Sequence, residues 1–203
     1  INKMTINILL NKFKIIQLWI LLFLPIALVT GPFLSDLFIS LIALIFVFLV
    51  IIKKEYFYFQ HPFSYIFFLW SIYLILNSLF SQNSFLSLES SLFYWRFGIF
   101  SLAVWYIIHN QPLFIKYFTI VFFITYLILM IDGYIQFFTG TNILGFPRPD
   151  NSSFRVSGLF GEEAILGSFL SRTLPFLLGL IILVYSRSIY YFLFVLTIFI
   201  GSG

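Results

Sequence analysis

Long, uninterrupted apolar runs are the feature of this sequence that most restricts its fold. From Leu37 to Ile52 no residue is charged. Runs of similar character fall at about 15–30, 33–52, 63–80, 90–108, 113–138, 162–186 and 188–203. Because these runs are continuous and do not alternate with polar residues, they are not the strands of a membrane barrel. Since a membrane-crossing helix needs about 20 mainly apolar residues, the pattern predicts an all-α protein, a polytopic transmembrane helical bundle with about six to seven spans.

The charge content excludes a water-soluble domain. Only 9% of the 203 residues are charged and 62% are hydrophobic, whereas soluble domains carry about 25% charged residues. No repeat or linker separates the runs, so residues 1–203 are predicted to form a single membrane domain. The chain starts at Ile1 and stops at Gly203 inside an apolar run, and we therefore expect it to be part of a longer protein. The lack of cysteine in the sequence excludes disulfides and a cysteine nucleophile.

The positions of lysine and arginine predict the orientation of the chain, because cytoplasmic loops are enriched in these residues. The tail before the first span holds Lys3, Lys12 and Lys14, and the loop after the second span holds Lys53 and Lys54. The amino terminus is therefore predicted to be cytoplasmic. The loops that then face outward are 31–36, 81–89 and 139–161.

Ionisable residues are concentrated near the predicted outer side of the membrane. A charge within a span costs about 3 to 10 kcal/mol, so each of them requires a compensating interaction or a function. The group consists of Glu89, Arg96, Asp132, Arg155, Glu162, Glu163 and Arg172. At a rise of about 1.5 Å per residue, Arg96 is expected about 9 Å inside the fourth span, and Arg172 about 15 Å beyond Glu162. The inner halves of the spans are almost wholly apolar and carry no comparable group.

Two interpretations of this outer group stay open. Its members can pair with one another and join helices, for example with Glu163 or Asp132 neutralising Arg172. Alternatively, they line an outward-opening polar cavity whose arginines hold an anion. Arginine suits the second role because its planar guanidinium keeps its charge when desolvated and matches phosphate oxygens.

The third outer loop is dense in turn-forming residues and runs directly into a predicted helix. Gly158 and Gly161 allow tight turns, and backbone N–H groups near Ser157 and Gly158 can face a phosphate at the start of that helix. The histidines, His61 and His109, fall on the predicted cytoplasmic side. They therefore form neither a dyad with Ser157 nor a metal site, and an interfacial role is expected for them.

Three stretches of the sequence carry a resemblance to a known family. They are FRVSGLFG at 154–161, followed by a helix with Arg172 and Pro175; DGYIQFFTG at 132–140; and YWR at 94–96. Together they resemble the O-antigen ligase and O-antigen polymerase superfamily of bacterial inner-membrane proteins. The likeness covers about residues 80–186, with 132–175 as its more specific part. Glu162 and Glu163 depart from the family, in which many relatives have an Asn-Pro-Asn-like stretch at this place.

The resemblance implies a multi-pass glycosyltransferase of the bacterial inner (cell) membrane with a cytoplasmic amino terminus. Such an enzyme takes a glycan from an undecaprenyl-pyrophosphate carrier and transfers it, on the periplasmic side, to a hydroxyl of the lipid A core or of another carrier-linked glycan. The implied partners are this lipid-linked glycan, its acceptor and membrane lipids, with no nucleic acid, metal or cofactor. The family's large periplasmic loop and its catalytic histidine do not occur within 1–203, so no catalytic residue is assigned here.

The resemblance and the charge pattern together assign a pyrophosphate site, in which the acidic residues position an arginine. The assigned residues are the pyrophosphate-binding Arg155, Arg172 and Arg96, and the supporting Glu163, Asp132, Ser157 and Gly158. A transporter or flippase for an anionic lipid-linked sugar is the alternative, although the apolar inner halves favour the enzyme. A non-catalytic membrane scaffold is the third possibility.

Overall fold

The computed structural model describes residues 3–149, 155–161 and 163–185. Within these ranges the chain forms helices, turns and loops, with one isolated β-bridge between Thr141 and Pro147. The α-helices are α1 (Lys3–Thr30), α2 (Pro32–Lys53), α3 (Pro62–Leu79), α4 (Ser84–Leu92), α5 (Trp95–Asn110), α6 (Phe114–Thr139) and α7 (Leu166–Tyr185). Two 3₁₀ turns, Tyr56–Gln60 and Gly158–Phe160, lie between them.

Six segments of the described chain are long and apolar enough to cross a membrane. They are Asn7–Thr30, Pro32–Lys53, Pro62–Leu79, Ser84–Asn110, Phe114–Thr139 and Leu166–Tyr185. This confirms the predicted all-α, polytopic transmembrane class, and the chain is a multi-pass membrane protein. The seventh predicted run, 188–203, lies outside the described residues.

The fourth span is not one continuous helix, although a single helix was predicted at 90–108. α4 ends at Leu92 and α5 begins at Trp95. Across the break the Tyr94 N–H donates to the Ser91 carbonyl at 3.2 Å, and the Phe97 N–H donates to the Tyr94 carbonyl at 3.1 Å. These tighter, three-residue turns keep the backbone N–H and carbonyl groups hydrogen-bonded, as the interior of a membrane requires.

The chain divides into two compact units. Unit 1 comprises Ile1–Leu21 and Ser35–Pro112, and unit 2 comprises Leu22–Leu34 and Leu113–Gly203. Unit 1 therefore holds most of α2 and all of α3, α4 and α5. Unit 2 holds the end of α1 together with α6, α7 and the loop that joins them.

Close helix packing in unit 1 depends on Gly98 of α5. A Cβ atom at this position would lie 2.2 Å from the Phe67 ring of α3, so only glycine allows this approach. The Phe67 ring also stacks on Tyr94, with ring centroids 5.8 Å apart. Small residues at helix contacts are a common means of helix association in membranes.

The helices of unit 2 pack through two apolar clusters. In the first, Phe122 and Tyr126 of α6 are buried against Leu177 and Ile181 of α7. The second cluster contains Val29, Leu129 and Leu166, with Leu159 and Phe160 packed against it. The second cluster therefore attaches the 3₁₀ turn of the joining loop to the start of α7.

Candidate functional site

The carboxyl end of α6 is closed by Gly140 and Arg148. Gly140 has a left-handed backbone, with φ of 85°, and its N–H donates to the Gln136 carbonyl at 3.0 Å. The Arg148 side chain donates from Nε to the same carbonyl at 3.1 Å and from Nη2 to the Phe137 carbonyl. A cation at a helix carboxyl terminus is favourable because it meets unpaired carbonyls and the negative end of the dipole. Arg148 is thus a helix cap.

Asn142 and Asp132 fasten the first part of the joining loop. Asn142 donates from Nδ2 to the Gly158 carbonyl at 2.8 Å and accepts from the Phe146 N–H at 2.8 Å. Asp132 accepts from the Ile143 N–H through Oδ1 at 2.9 Å. Its other oxygen, Oδ2, is buried and has no hydrogen-bond partner among the described residues.

Gln136 holds the second part of the joining loop against α6. Its Oε1 accepts from the N–H groups of Ser157 at 2.8 Å and Gly158 at 2.7 Å, and its Nε2 donates to the Ser157 hydroxyl at 3.2 Å. Ser157 and Gln136 are both fully buried. The expectation that these two amides bind a phosphate is therefore wrong, because the carboxamide of Gln136 already occupies them. Ser157 and Gly158 are thus held in the loop by Gln136.

Arg155 and Arg172 are both exposed, and neither forms an ion pair with a described residue. α7 begins at Leu166 rather than near 162, so Arg172 lies six residues into the helix. Its distance from the helix start is therefore about 9 Å rather than about 15 Å. The ion pair of Arg172 with Asp132 or Glu163, which was one of the two interpretations of the sequence, is not found. Asp132 accepts a hydrogen bond from the loop at Ile143. Glu163 is exposed and has no ion pair to any described residue.

Arg96 belongs to unit 1, where it is already paired. Its Nη2 donates to Asp36 Oδ2 at 2.8 Å, and its guanidinium lies over the Phe97 ring at 5.1 Å. Sequence reasoning assigned Arg96 to a ligand and missed Asp36. Glu89, in α4, is exposed, and Glu162 lies outside the described residues.

The pairing of Arg96 with Asp36 predicts compensation between charge reversals. We expect Arg96→Asp or Asp36→Arg alone to lower the thermal stability of the protein in lipid nanodiscs, and the double reversal to recover most of it. The effect is expected to be modest, at most about 1 kcal/mol, because the Asp36 side chain is 49% exposed and solvent screens such pairs. Independent losses that add in the double variant would show that the pair does not matter.

A second polar network lies in unit 1, near the carboxyl ends of α2 and α5. Lys53 Nζ donates to the Tyr106 hydroxyl at 2.8 Å and lies 3.9 Å from Glu55 Oε1. The Tyr58 hydroxyl is 2.9 Å from His109 Nδ1, and burial raises the pKa of Tyr58. His109 thus has a partner inside the protein. The network was missed because its members come from separate turns and helices.

The other histidine, His61, caps a helix. It precedes α3 and accepts from the Phe63 N–H through Nδ1 at 3.2 Å. Capping of this kind satisfies a helix N–H that has no intrahelical partner. In the described part of the chain, no three His, Cys, Asp or Glu side chains are grouped so as to hold a metal ion.

An apolar groove of about 300 Å³ lies in unit 2. It is lined by side chains of α1 and α6 and by Leu159 of the joining loop. The lining residues are Phe23, Ile26, Val29, Val121, Ile124, Thr125, Ile128, Leu129 and Leu159. The groove is therefore lined by membrane-spanning helices and by one residue of the loop that carries Arg155.

Comparisons with protein-family models, with curated proteins and with solved structures found no match. The chemistry of the residues described above is therefore the basis for a functional proposal.

Proposed function

We propose that this protein takes part in transferring a glycan from undecaprenyl pyrophosphate to a hydroxyl acceptor on the periplasmic side of the bacterial inner membrane. In this proposal the amino terminus is cytoplasmic, and Arg155 and Arg172 bind the pyrophosphate. The observation that carries the proposal is a combination within unit 2. Two exposed arginines have no ion pair to a described residue, and an apolar groove is lined in part by Leu159 of the loop that carries Arg155. An isoprenoid pyrophosphate has a matching anionic head and apolar tail.

Both arginines lie on the stretch formed by the end of the joining loop and the first turns of α7. Arg155 precedes Gly158 by three residues, so their Cα atoms are at most about 11 Å apart. A Cβ on Gly158 would lie 3.1 Å from Leu166, which begins α7, and Arg172 lies about 9 Å further along that helix. A charge within a span needs a counter-charge. Since no described acid supplies one, an anionic ligand suits this position.

The groove suits the tail of the same lipid. Its described lining is almost wholly apolar, with Thr125 as the polar exception, and the Thr125 hydroxyl is bonded to the Val121 carbonyl at 2.9 Å. Leu159 is four residues from Arg155, and in this proposal the head of a lipid in the groove reaches the arginines. The tail supplies binding energy away from the reacting centre, and that energy can position the head.

The proposed reaction is a displacement at the anomeric carbon of the glycan. The acceptor hydroxyl oxygen forms the new bond to this carbon, a general base takes the hydroxyl proton, and the bond to the pyrophosphate oxygen breaks. The leaving pyrophosphate keeps the electron pair. Guanidinium groups bound to the pyrophosphate stabilise the negative charge that develops on it, so this stabilisation does not require a metal.

The proposal is tested in proteoliposomes that contain the purified full-length protein, a carrier-linked glycan and a hydroxyl acceptor. We expect glycan on the acceptor and an equal amount of free undecaprenyl pyrophosphate, both detected by mass spectrometry. Movement of the carrier-linked glycan across the bilayer with its pyrophosphate bond intact would indicate the transporter instead. The absence of both results would reject the proposed function.

A further inference from the structure

We propose that Gln136 is a positioning residue that fixes Arg155 for pyrophosphate binding. This inference rests on the proposed function of Arg155 and adds a residue that the sequence did not single out. Gln136 does not touch the ligand in this proposal. It acts through the backbone of Ser157 and Gly158.

The contacts of Gln136 connect three parts of unit 2. Its side chain starts on α6, accepts from two consecutive amides of the 157–158 segment, and donates to the carbonyls of Phe146 and Pro147 at 3.4 Å each. The side chain is fully buried. One carboxamide therefore holds both arms of the joining loop against the end of α6.

The local backbone explains why an acceptor is needed at this point. Ser157 has a right-handed backbone, with φ of −101° and ψ of −25°, and Gly158 is left-handed, with φ of 56°. Consecutive residues of this kind direct their N–H groups toward one point and form an anion-binding concavity. Gln136 Oε1 fills that concavity with a neutral oxygen, so the buried amides are satisfied without a charge.

The residue type also matters, because the position requires an acceptor and donors together. Glutamine supplies both at this reach. Glutamate would lose the donors to Ser157, Phe146 and Pro147, asparagine is one methylene shorter, and leucine has neither function. Fixing this segment restricts Arg155, whose Cα lies within about 7 Å of the Ser157 Cα. A preorganised arginine loses less conformational freedom when it binds its ligand.

The test measures binding of undecaprenyl pyrophosphate to the protein in nanodiscs. We expect Gln136→Leu to raise the Kd about tenfold to hundredfold, because a small displacement of a binding group has effects of this size. We expect KM for the same lipid to rise with it, while kcat at saturation changes less. Gln17→Leu is the matched control, since Gln17 is also buried and donates to the Ile42 carbonyl at 3.1 Å, but in unit 1. The control is expected to keep the wild-type Kd.

A second readout reports the position of Arg155 without any ligand. The chain has no native cysteine, so Arg155→Cys carries a single spin label. We expect Gln136→Leu to increase the mobility of this label and Gln17→Leu to leave it unchanged. If Gln136→Leu does not fold, Ser157→Ala replaces it in the binding measurement. This milder variant removes one hydrogen bond of the Gln136 amide, so a rise in Kd of about twofold to fivefold is expected.

The outcomes separate this inference from the proposed function. Suppose that the wild-type protein binds the lipid and that Gln136→Leu has the same Kd. This result would overturn the role of Gln136 and leave the function of Arg155 standing, and the same holds for Ser157→Ala where that variant is used. An equal rise in Kd for Gln17→Leu would also overturn it, because the effect would then be general destabilisation. If the wild-type protein does not bind undecaprenyl pyrophosphate, the proposed function fails and the inference fails with it.

Discussion

Replacing Arg155 and Arg172 together by alanine is expected to lower kcat/KM for glycan transfer by about 10³-fold or more. Loss of one preorganised donor that stabilises a developing anion typically costs about 10²- to 10³-fold. Both guanidiniums are exposed and have no ion pair among the described residues, so their removal leaves no buried acid unpaired. The loss is therefore expected in activity, with little change in thermal stability. Initial rates of acceptor glycosylation measure it.

Two comparisons make this result specific. Lys116→Ala removes another exposed cation of unit 2, at the opposite end of α6, and is expected to keep wild-type rates. Arg155→Lys with Arg172→Lys keeps the charge but loses the planar, two-pronged geometry, so an intermediate loss is expected. Wild-type kcat/KM in the double alanine variant would remove both arginines from the mechanism.

Gly158→Ala is expected to destabilise the protein more than any other glycine-to-alanine change in the joining loop. The left-handed backbone of Gly158, with φ of 56°, costs a residue with a side chain about 1–3 kcal/mol. The added Cβ would also lie 3.0 Å from Asp132 Oδ2 and 3.1 Å from Leu166 Cδ2. Overpacking of this kind adds about 1–3 kcal/mol. We expect a lower apparent Tm in nanodiscs and weaker binding of the lipid pyrophosphate.

Gly140→Ala is the matched control for this prediction. Gly140 also has a left-handed backbone, with φ of 85° and ψ of −12°, but a Cβ there would meet nothing within 4 Å. It shares the backbone strain and lacks the steric contacts, so a smaller loss of stability is expected. Equal losses in the two variants would assign the effect to strain alone. A Gly158→Ala protein as stable as the wild type would contradict the described packing of the loop on Asp132 and Leu166.

The helices were predictable because their signal is local. Apolar runs of membrane-spanning length predicted six described spans, since hydropathy is read residue by residue. The break at Phe93 and Tyr94 and the late start of α7 at Leu166 were not predicted. At α7 the chain first turns at Gly161, with φ of 69° and ψ of −116°, and such a turn depends on backbone conformation rather than composition.

The polar contacts of the site were less predictable because their partners are distant in sequence. Arg96 pairs with Asp36, sixty residues earlier, and Gln136 binds amides about twenty residues later. One signal was available: Asp132 and Gln136 are four residues apart, so they share a helix face directly before a glycine-rich loop. Two polar residues on one face of a transmembrane helix indicate an internal partner. Identifying that partner required the fold.

The central claim is that one isoprenoid pyrophosphate has its tail in the groove of unit 2 and its head on Arg155 and Arg172. A photo-reactive amino acid in place of Leu159 tests this most directly, because Leu159 lines the groove and is close to Arg155 in the chain. After irradiation in nanodiscs, we expect a covalent adduct with undecaprenyl pyrophosphate. Excess unlabelled isoprenoid pyrophosphate should compete with this adduct, the corresponding isoprenoid alcohol should not, and the double alanine variant should lose it. An adduct that persists without the two arginines and is displaced equally by the alcohol would contradict the account, because the groove would then bind apolar chains without regard to the head group.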